Sequence, residues 1–309
     1  MIFTQYKGEL FALSAAFLWS ISAILFERLG KKIRPIEMTL LKGTVAAIML
    51  SATMFLLREP LTNINPLGLV ILLISGAVGI GLGDTAYFEA IKELGARQAL
   101  LLGVLAPQMT ALLALVFLGE SLISTSWMGI LITVGGVAWV ISEQQRNGKS
   151  ETAGGMDNAS RNVRRGVAFG VLAAFSQASG LVMSRYAFSF TKISALQSAI
   201  LRLVAGAVVL FIWIKFKKQP LGEWGKKPQS WRTWLLLLLV SFVGTYVCIW
   251  LQQLAVQHAP AGITQTLLAT SPLFILPITA IRGEKLTLRA VLGALVSMFG
   301  IMLLFGILG

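Results

Sequence analysis

EQQRNGKSETAGGMDNASRNVR, residues 143–164, is the only long polar stretch in this chain of 309 residues. Rich in Gly, Ser, Asn and charge, it cannot bury enough apolar surface to pack and reads as a mobile linker. On its N-terminal side apolar segments fall near 8–27, 35–57, 66–90, 98–118 and 123–142. On its C-terminal side they fall near 165–185, 193–216, 232–255, 262–281 and 286–307. A bilayer core needs about 20 apolar residues in a helix, so each half supplies five spans. The predicted organisation is a first repeat over 1–145, a linker over 146–163 and a second repeat over 164–309. Composition agrees: 56% of residues are hydrophobic, 13% are charged and mean hydropathy is +0.79. A soluble protein of this size needs more polar surface. The opening MIFTQYKGELFALSAAFLWSISAILF is read as the first span, since no small-x-small cleavage site leads into a soluble domain.

The halves resemble each other. LLKGTVA in the second span matches ILRLVAG in the seventh, pairing Lys42 with Arg202. VLAPQMT in the fourth matches LATSPLF in the ninth, pairing Pro107 with Pro272. LGESL and RGEKL open the fifth and tenth, pairing Glu120 with Glu284, and Gly129 and Gly136 then match Gly293 and Gly300. Several matches in one order identify a repeat where any one alone would not. Five is odd, so the second copy enters the membrane from the opposite side. The predicted fold is all-α and integral to the membrane: ten transmembrane helices in two inverted five-helix repeats around a central cavity.

Net charge is +13. In a soluble protein that points to nucleic acid; here no basic stripe interleaves with aromatics, and no nucleic-acid partner is expected. The basic residues lie between apolar segments instead. Twenty of them fall in the loops that a ten-span path puts on one face, and 4 on the other. By the positive-inside bias the face carrying 20 is cytoplasmic and both termini are outside.

FLWS at 17–20, the basic residue at 42 and 202, GDTAYFEAIKELGA at 83–96 running into VLAP, and the LGE and RGE copies together resemble the drug/metabolite transporter superfamily, EamA branch. The resemblance spans the whole chain in two copies. It implies a ten-helix basket whose central cavity is lined by both repeats, and export or exchange of small metabolites such as amino acids, or of drugs. It also implies both termini in the cytoplasm, opposite to the charge count.

A charge at bilayer depth costs at least about 2.5–3.5 kcal/mol, so it usually faces a cavity or a partner. Three residues meet that description: Lys42, Asp84 and Arg202. Lys42 lies roughly 10 Å into its helix from the 1–2 loop, and Asp84 sits at similar depth from the 3–4 loop on the same face. Asp84 can therefore neutralise Lys42; the pair is either a fixed structural bridge, with Lys42 snorkelling as a further option, or part of a substrate path. Arg202 has Ile249 where the first repeat has Asp84, with Gln252 and Gln253 following. It either holds a substrate carboxylate through a bidentate pair or is satisfied by carbonyls, glutamines or Asp84.

In RGVAFGVLAAFSQASGLVMSRY, Ser176, Gly180 and Ser184 share a face that small-residue packing explains, with Gln177 beside them. Trp19 and Gln177 are cavity candidates, as are Tyr87, Gln108 and Gln265. Gln98 and Thr270 share the proline-bearing helices, where Pro107 and Pro272 each remove an N–H. Glu120 and Glu284 favour the helix dipole at their N-termini, and Glu89 is placed at interfacial water.

One Cys, Cys248, allows no intrachain disulfide, and one His, His258, leaves no basis for a His-rich metal site or a Ser-His-Asp triad. No GxxxxGK[ST] loop and no HExxH occurs. The expectation is a secondary transporter, an exporter or exchanger of small organic solutes, monomeric, in the cell (inner or plasma) membrane. No enzymatic activity, cofactor or metal is expected. The alternatives are a receptor or assembly subunit that carries nothing, and a lipid-handling membrane protein.

Overall fold

A computed structural model describes residues 6–59, 65–118, 127–137, 139, 156–216, 230–259, 261–281 and 287–304. Those residues form helices and short connections, with no strand among them. The helices are α1 (Lys7–Gly30), α2 (Pro35–Leu56), α3 (Pro66–Leu94), α4a (Ala96–Gly103), α4b (Ala106–Leu118) and α5 (Trp127–Val137). The second copy is α6 (Met156–Phe190), α7 (Ala195–Phe216), α8 (Trp231–His258), α9a (Ala261–Leu268), α9b (Ser271–Ile281) and α10 (Leu288–Leu304). Among the described residues eight spans are long and apolar enough to cross a bilayer, and two shorter apolar helices lie in α5 and α10. The core of the polar stretch lies outside the described residues, but α6 begins at Met156, inside the segment expected as linker. Hydropathy reports where a helix meets lipid; a helix that continues into water leaves no apolar trace.

Prolines start α2 and α3 at their first position, where no intrahelical N–H is lost, and Asn65 accepts from the amides of Leu67 and Gly68 ahead of α3. Gly95, at φ 84°, turns the chain between α3 and α4a in a single residue, a backbone conformation that favours glycine.

Two irregularities recur in both copies. Ala77–Leu82 in α3 and Phe242–Val247 in α8 are π-helical. In the register that pairs Pro107 with Pro272, these segments coincide end to end. The breaks at Val104–Leu105 and Ala269–Thr270, which split the fourth and ninth spans, coincide too. Each break falls just before its proline, which sits at the second position of the next helix. The repeat therefore extends to departures from ideal helix geometry, which concentrate where helices serve a site.

Packing runs chiefly between the copies: α3 against α6 and α7, α8 against α1 and α2, and α2 against α7. The contact of α5 with α10 fixes the relation of the two repeats. A Cβ on Gly136 would stand 2.5 Å from Ser297 Oγ and 3.1 Å from the Gly293 carbonyl oxygen. One on Gly300 would stand 2.3 Å from Thr133 Oγ1 and 2.7 Å from the Gly129 carbonyl oxygen. Thr133 Oγ1 lies 3.2 Å from the Ser297 carbonyl oxygen, and Ser297 Oγ lies 3.5 Å from that of Thr133. Equivalent residues thus contact each other reciprocally while the helices run antiparallel. A two-fold operation that reverses a spanning helix has its axis in the membrane plane, so the repeats are inverted.

Contacts at the two rims agree. Arg165 faces Glu89 and Glu93, each at 3.9 Å, on the rim where α3 ends and α6 begins. On the opposite rim Arg185 donates to the Val256 carbonyl at 3.0 Å. Large apolar side chains such as Phe55 on α2 and Phe216 on α7 are exposed on the perimeter, where lipid covers them.

Gly136→Ala and Gly300→Ala are each expected to destabilise the protein by about 1–3 kcal/mol through overpacking. Gly135→Ala, whose Cβ meets nothing within 4 Å, leaves the melting temperature in detergent unchanged. Three indistinguishable melting curves would remove the reciprocal contact from the account of the fold.

Candidate functional site

Two adjoining pockets lie within the bundle, with about 510 and 410 Å³ of space between atoms once the solvent at their open sides is counted in. Trp19, Tyr87, Ala173 and Gln177 line both. Trp19 sits midway along α1, and its ring meets that of Tyr87 edge-on at 6.1 Å between centroids. These side chains form a partition. On one side lie Asp84, Arg202, Gln252 and Ile249, with Gly79 and Ile80 of the α3 π-segment and Gly83 just after it; this is the charged chamber. On the other, mainly small and apolar residues of α4a, α6 and the α9 break are joined by Gln265; this is the apolar chamber. Both repeats contribute to both chambers.

The sequence-level pairing of Lys42 with Asp84 holds. Lys42 Nζ donates to Asp84 Oδ2, and the lysine is 3% exposed. The ammonium also lies 5.5 Å from the Phe26 ring centroid and 5.1 Å from that of Phe88. One charge-assisted bond and two ring faces solvate it. Lys42 does not snorkel, and it reaches the charged chamber only through Asp84, which lines it.

Arg202 is placed differently. It is 4% exposed, yet no hydrogen bond or ion pair joins it to another described residue, and its Nε is buried without a partner. Its place is made by absence. A Cβ on Gly76 would stand 2.2 Å from the Arg202 carbonyl oxygen. One on Gly79 or on Gly180 would stand 3.1 Å from Arg202 Nη2. Glycines on α3 and α6 thus let the α7 backbone and the guanidinium come close without a clash. Gly180 belongs to the small-residue face read from the sequence, and on that face Ser75 Oγ donates to the Gly180 carbonyl at 2.7 Å and meets Ser184 Oγ at 3.1 Å. Ser176 packs against Gly83, its hydroxyl buried without a partner.

The remaining candidates divide. Gln252 joins the charged chamber, and Gln265 joins the apolar one with its Oε1 buried and unpartnered. Gln253 instead accepts from Ser198 at 2.8 Å. Gln108 lines neither chamber. Turned so that its nitrogen donates to the Val104 carbonyl at 2.6 Å and its oxygen stands 3.0 Å from Thr133 Oγ1, its amide ties the α4 break to α5. Pro272 lines the apolar chamber, and Pro107 does not. Thr270 turns back to the Leu267 carbonyl at 2.6 Å, and Ser271 to that of Leu268 at 2.7 Å, each capping the broken helix. Glu89 stands at the rim near Lys92 and Arg165. Glu120 and Glu284 lie outside the described residues. Sequence reading did not single out Gly79, Gly103 or Ala173: a residue that serves a site by leaving room resembles one that serves packing.

An inverted-repeat membrane protein with an internal two-chambered cavity is the class that fold and site define. The profile of the EamA-like transporter family matches residues 6–142 and 164–306. The chain belongs to that family. A solved structure described only as "Crystal structure of protein" shares the fold, with a TM-score of 0.65 over 97% of this chain and 96% of the other, at 17% identity. No curated protein matches the sequence.

Lys42→Met strands Asp84 in the bundle and is expected to cost about 3–5 kcal/mol. Adding Asp84→Asn should recover part of that loss, because no unpaired charge then remains. A thermal-melt cycle in which the two single losses simply add would break the pairing.

Proposed function

We propose that the protein is a secondary transporter that exports or exchanges small organic solutes across the cell membrane by alternating access. The EamA-like family is a transporter family. The observation that carries the reading is Arg202: a cation buried between the repeats, on the wall of a cavity both repeats build, and without a hydrogen bond or ion pair to another described residue. Structure alone gives no reason to keep such a residue, since an apolar side chain of similar length would avoid the cost of burying the charge. A ligand that completes its coordination supplies the reason.

Inverted repeats permit exchange between outward-open and inward-open states by rocking one half against the other about a central site. Each half contributes one broken span and one π-helical segment, where such motion can be absorbed. Trp19, Asp84, Tyr87, Gln177, Arg202, Gln252 and Gln265 line the substrate path in this reading; Lys42 holds Asp84, and Gln108 supports the break in α4.

Arg202→Met separates the structural from the functional role. The variant should be as stable as the parent, or more stable by about 1–4 kcal/mol, since it removes an uncompensated buried charge. Its transport should be lost. The measurement is counterflow in proteoliposomes with radiolabelled amino acids and organic acids, read beside thermal melts. Counterflow equal to the parent's takes Arg202 out of the path. Absence of flux for every solute with the parent protein favours a receptor or lipid-handling role.

A further inference from the structure

The buried charges do not balance. Lys42 and Arg202 are cationic, and among the described residues Asp84 is the one carboxylate that lines either chamber. Lys42 already holds Asp84. Glu27 and Glu37 lie within three residues of helix ends and line neither chamber, and Glu89 and Glu93 face Arg165 at the rim. The described side chains that meet at the centre therefore sum to one excess positive charge, two cations around the single carboxylate of Asp84, and of the two Arg202 is the one without a hydrogen bond to a described residue, its Nε sealed from water. A zwitterion would leave that excess in place. A cation would double the excess.

Beyond the Trp19–Tyr87–Gln177 partition, Ala99, Leu100, Gly103, Gly170 and Ala174 bound a chamber whose wall is mainly small and apolar, with Gln265 as the polar group that has an oxygen to spare. A Cβ added at Gly103 meets nothing within 4 Å, so that glycine faces open space.

Resting on the transport reading, we propose that the ligand is an organic monoanion with an apolar body, its carboxylate on Arg202 and its body across the partition among these small residues. Net charge selects at one end and side-chain volume at the other, with Gly103 setting the room available.

The test is competition binding to the full chain in nanodiscs with radiolabelled 4-methylpentanoate. L-Leucine and 3-methylbutylamine serve as zwitterionic and cationic competitors of similar body, and acetate as an anion without one. Expected is at least about tenfold tighter binding of 4-methylpentanoate than of any of the three. Gly103→Leu should weaken 4-methylpentanoate by about tenfold and leave acetate unchanged. Leucine or the amine binding as tightly, no saturable binding of 4-methylpentanoate, or a Gly103→Leu protein with unaltered affinity each overturns the proposal. The counterflow experiment is unaffected by those outcomes: flux of some other solute would keep the transport reading while this one fell.

Discussion

A guanidinium at bilayer depth needs space as much as it needs charge compensation, and the protein provides the space by removing side chains from two neighbouring helices. Gly76 lets the α7 backbone press against α3; Gly79 and Gly180 leave the volume that the Arg202 head occupies. Any larger residue at Gly76 would meet the backbone of Arg202, which has nowhere to retreat inside a packed bundle. The crossing of α3 with α7 thus fixes two things at once. It joins the repeats, and it delivers Arg202 of the second repeat to a chamber whose wall includes Trp19, Asp84 and Tyr87 of the first.

The two copies share a scaffold and differ in electrostatics. Both carry a π-helical segment in the third helix and a break in the fourth, and α5 and α10 meet reciprocally. Yet Lys42 meets Asp84, while Arg202, its counterpart, has Ile249 at the equivalent position. Lys42 is also held between the rings of Phe26 and Phe88, whereas Arg202 rests against glycines. A symmetric pair of ion bridges would satisfy both cations and leave the cavity electrically closed. Breaking the symmetry on one side keeps one cation saturated and the other available.

Much of this was legible in the sequence because the bilayer imposes few and strong rules. Span number, repeat register and inversion follow from apolar length, ordered matches and an odd count. The Lys42–Asp84 pair follows from depth, since two helices leaving the same face at a known rise bring those residues level. Pro107 and Pro272 marked the sites of the breaks, because a missing N–H has a local consequence. The π-helical segments had no such signal: one shifted hydrogen-bond register needs no special residue. Nor could sequence direct Gln108 to α5 rather than to the cavity, because on a broken helix the usual periodicity no longer tells which face a residue occupies. The start of α6 at Met156 was hidden for a related reason, as a run of polar residues is compatible with helix and with coil alike.

Saturation of Lys42 has a mechanical consequence for the transport reading. Its bonds to Asp84 and its two aromatic neighbours join α1, α2 and α3, all within the first repeat. That cluster can move as one body without breaking a charged contact. Arg202 instead belongs to the second repeat, while the partition beside it draws Trp19 and Tyr87 from the first and Gln177 from the second. A ligand seated on Arg202 and against that partition would contact both bodies together. Its binding energy would then depend on how closely the halves approach, and a ligand shifts a conformational equilibrium only through such a difference between states. In the transport reading, an arginine without a bonded partner among the described residues would do more than hold a solute: it would make the closeness of the two repeats depend on whether the solute is there.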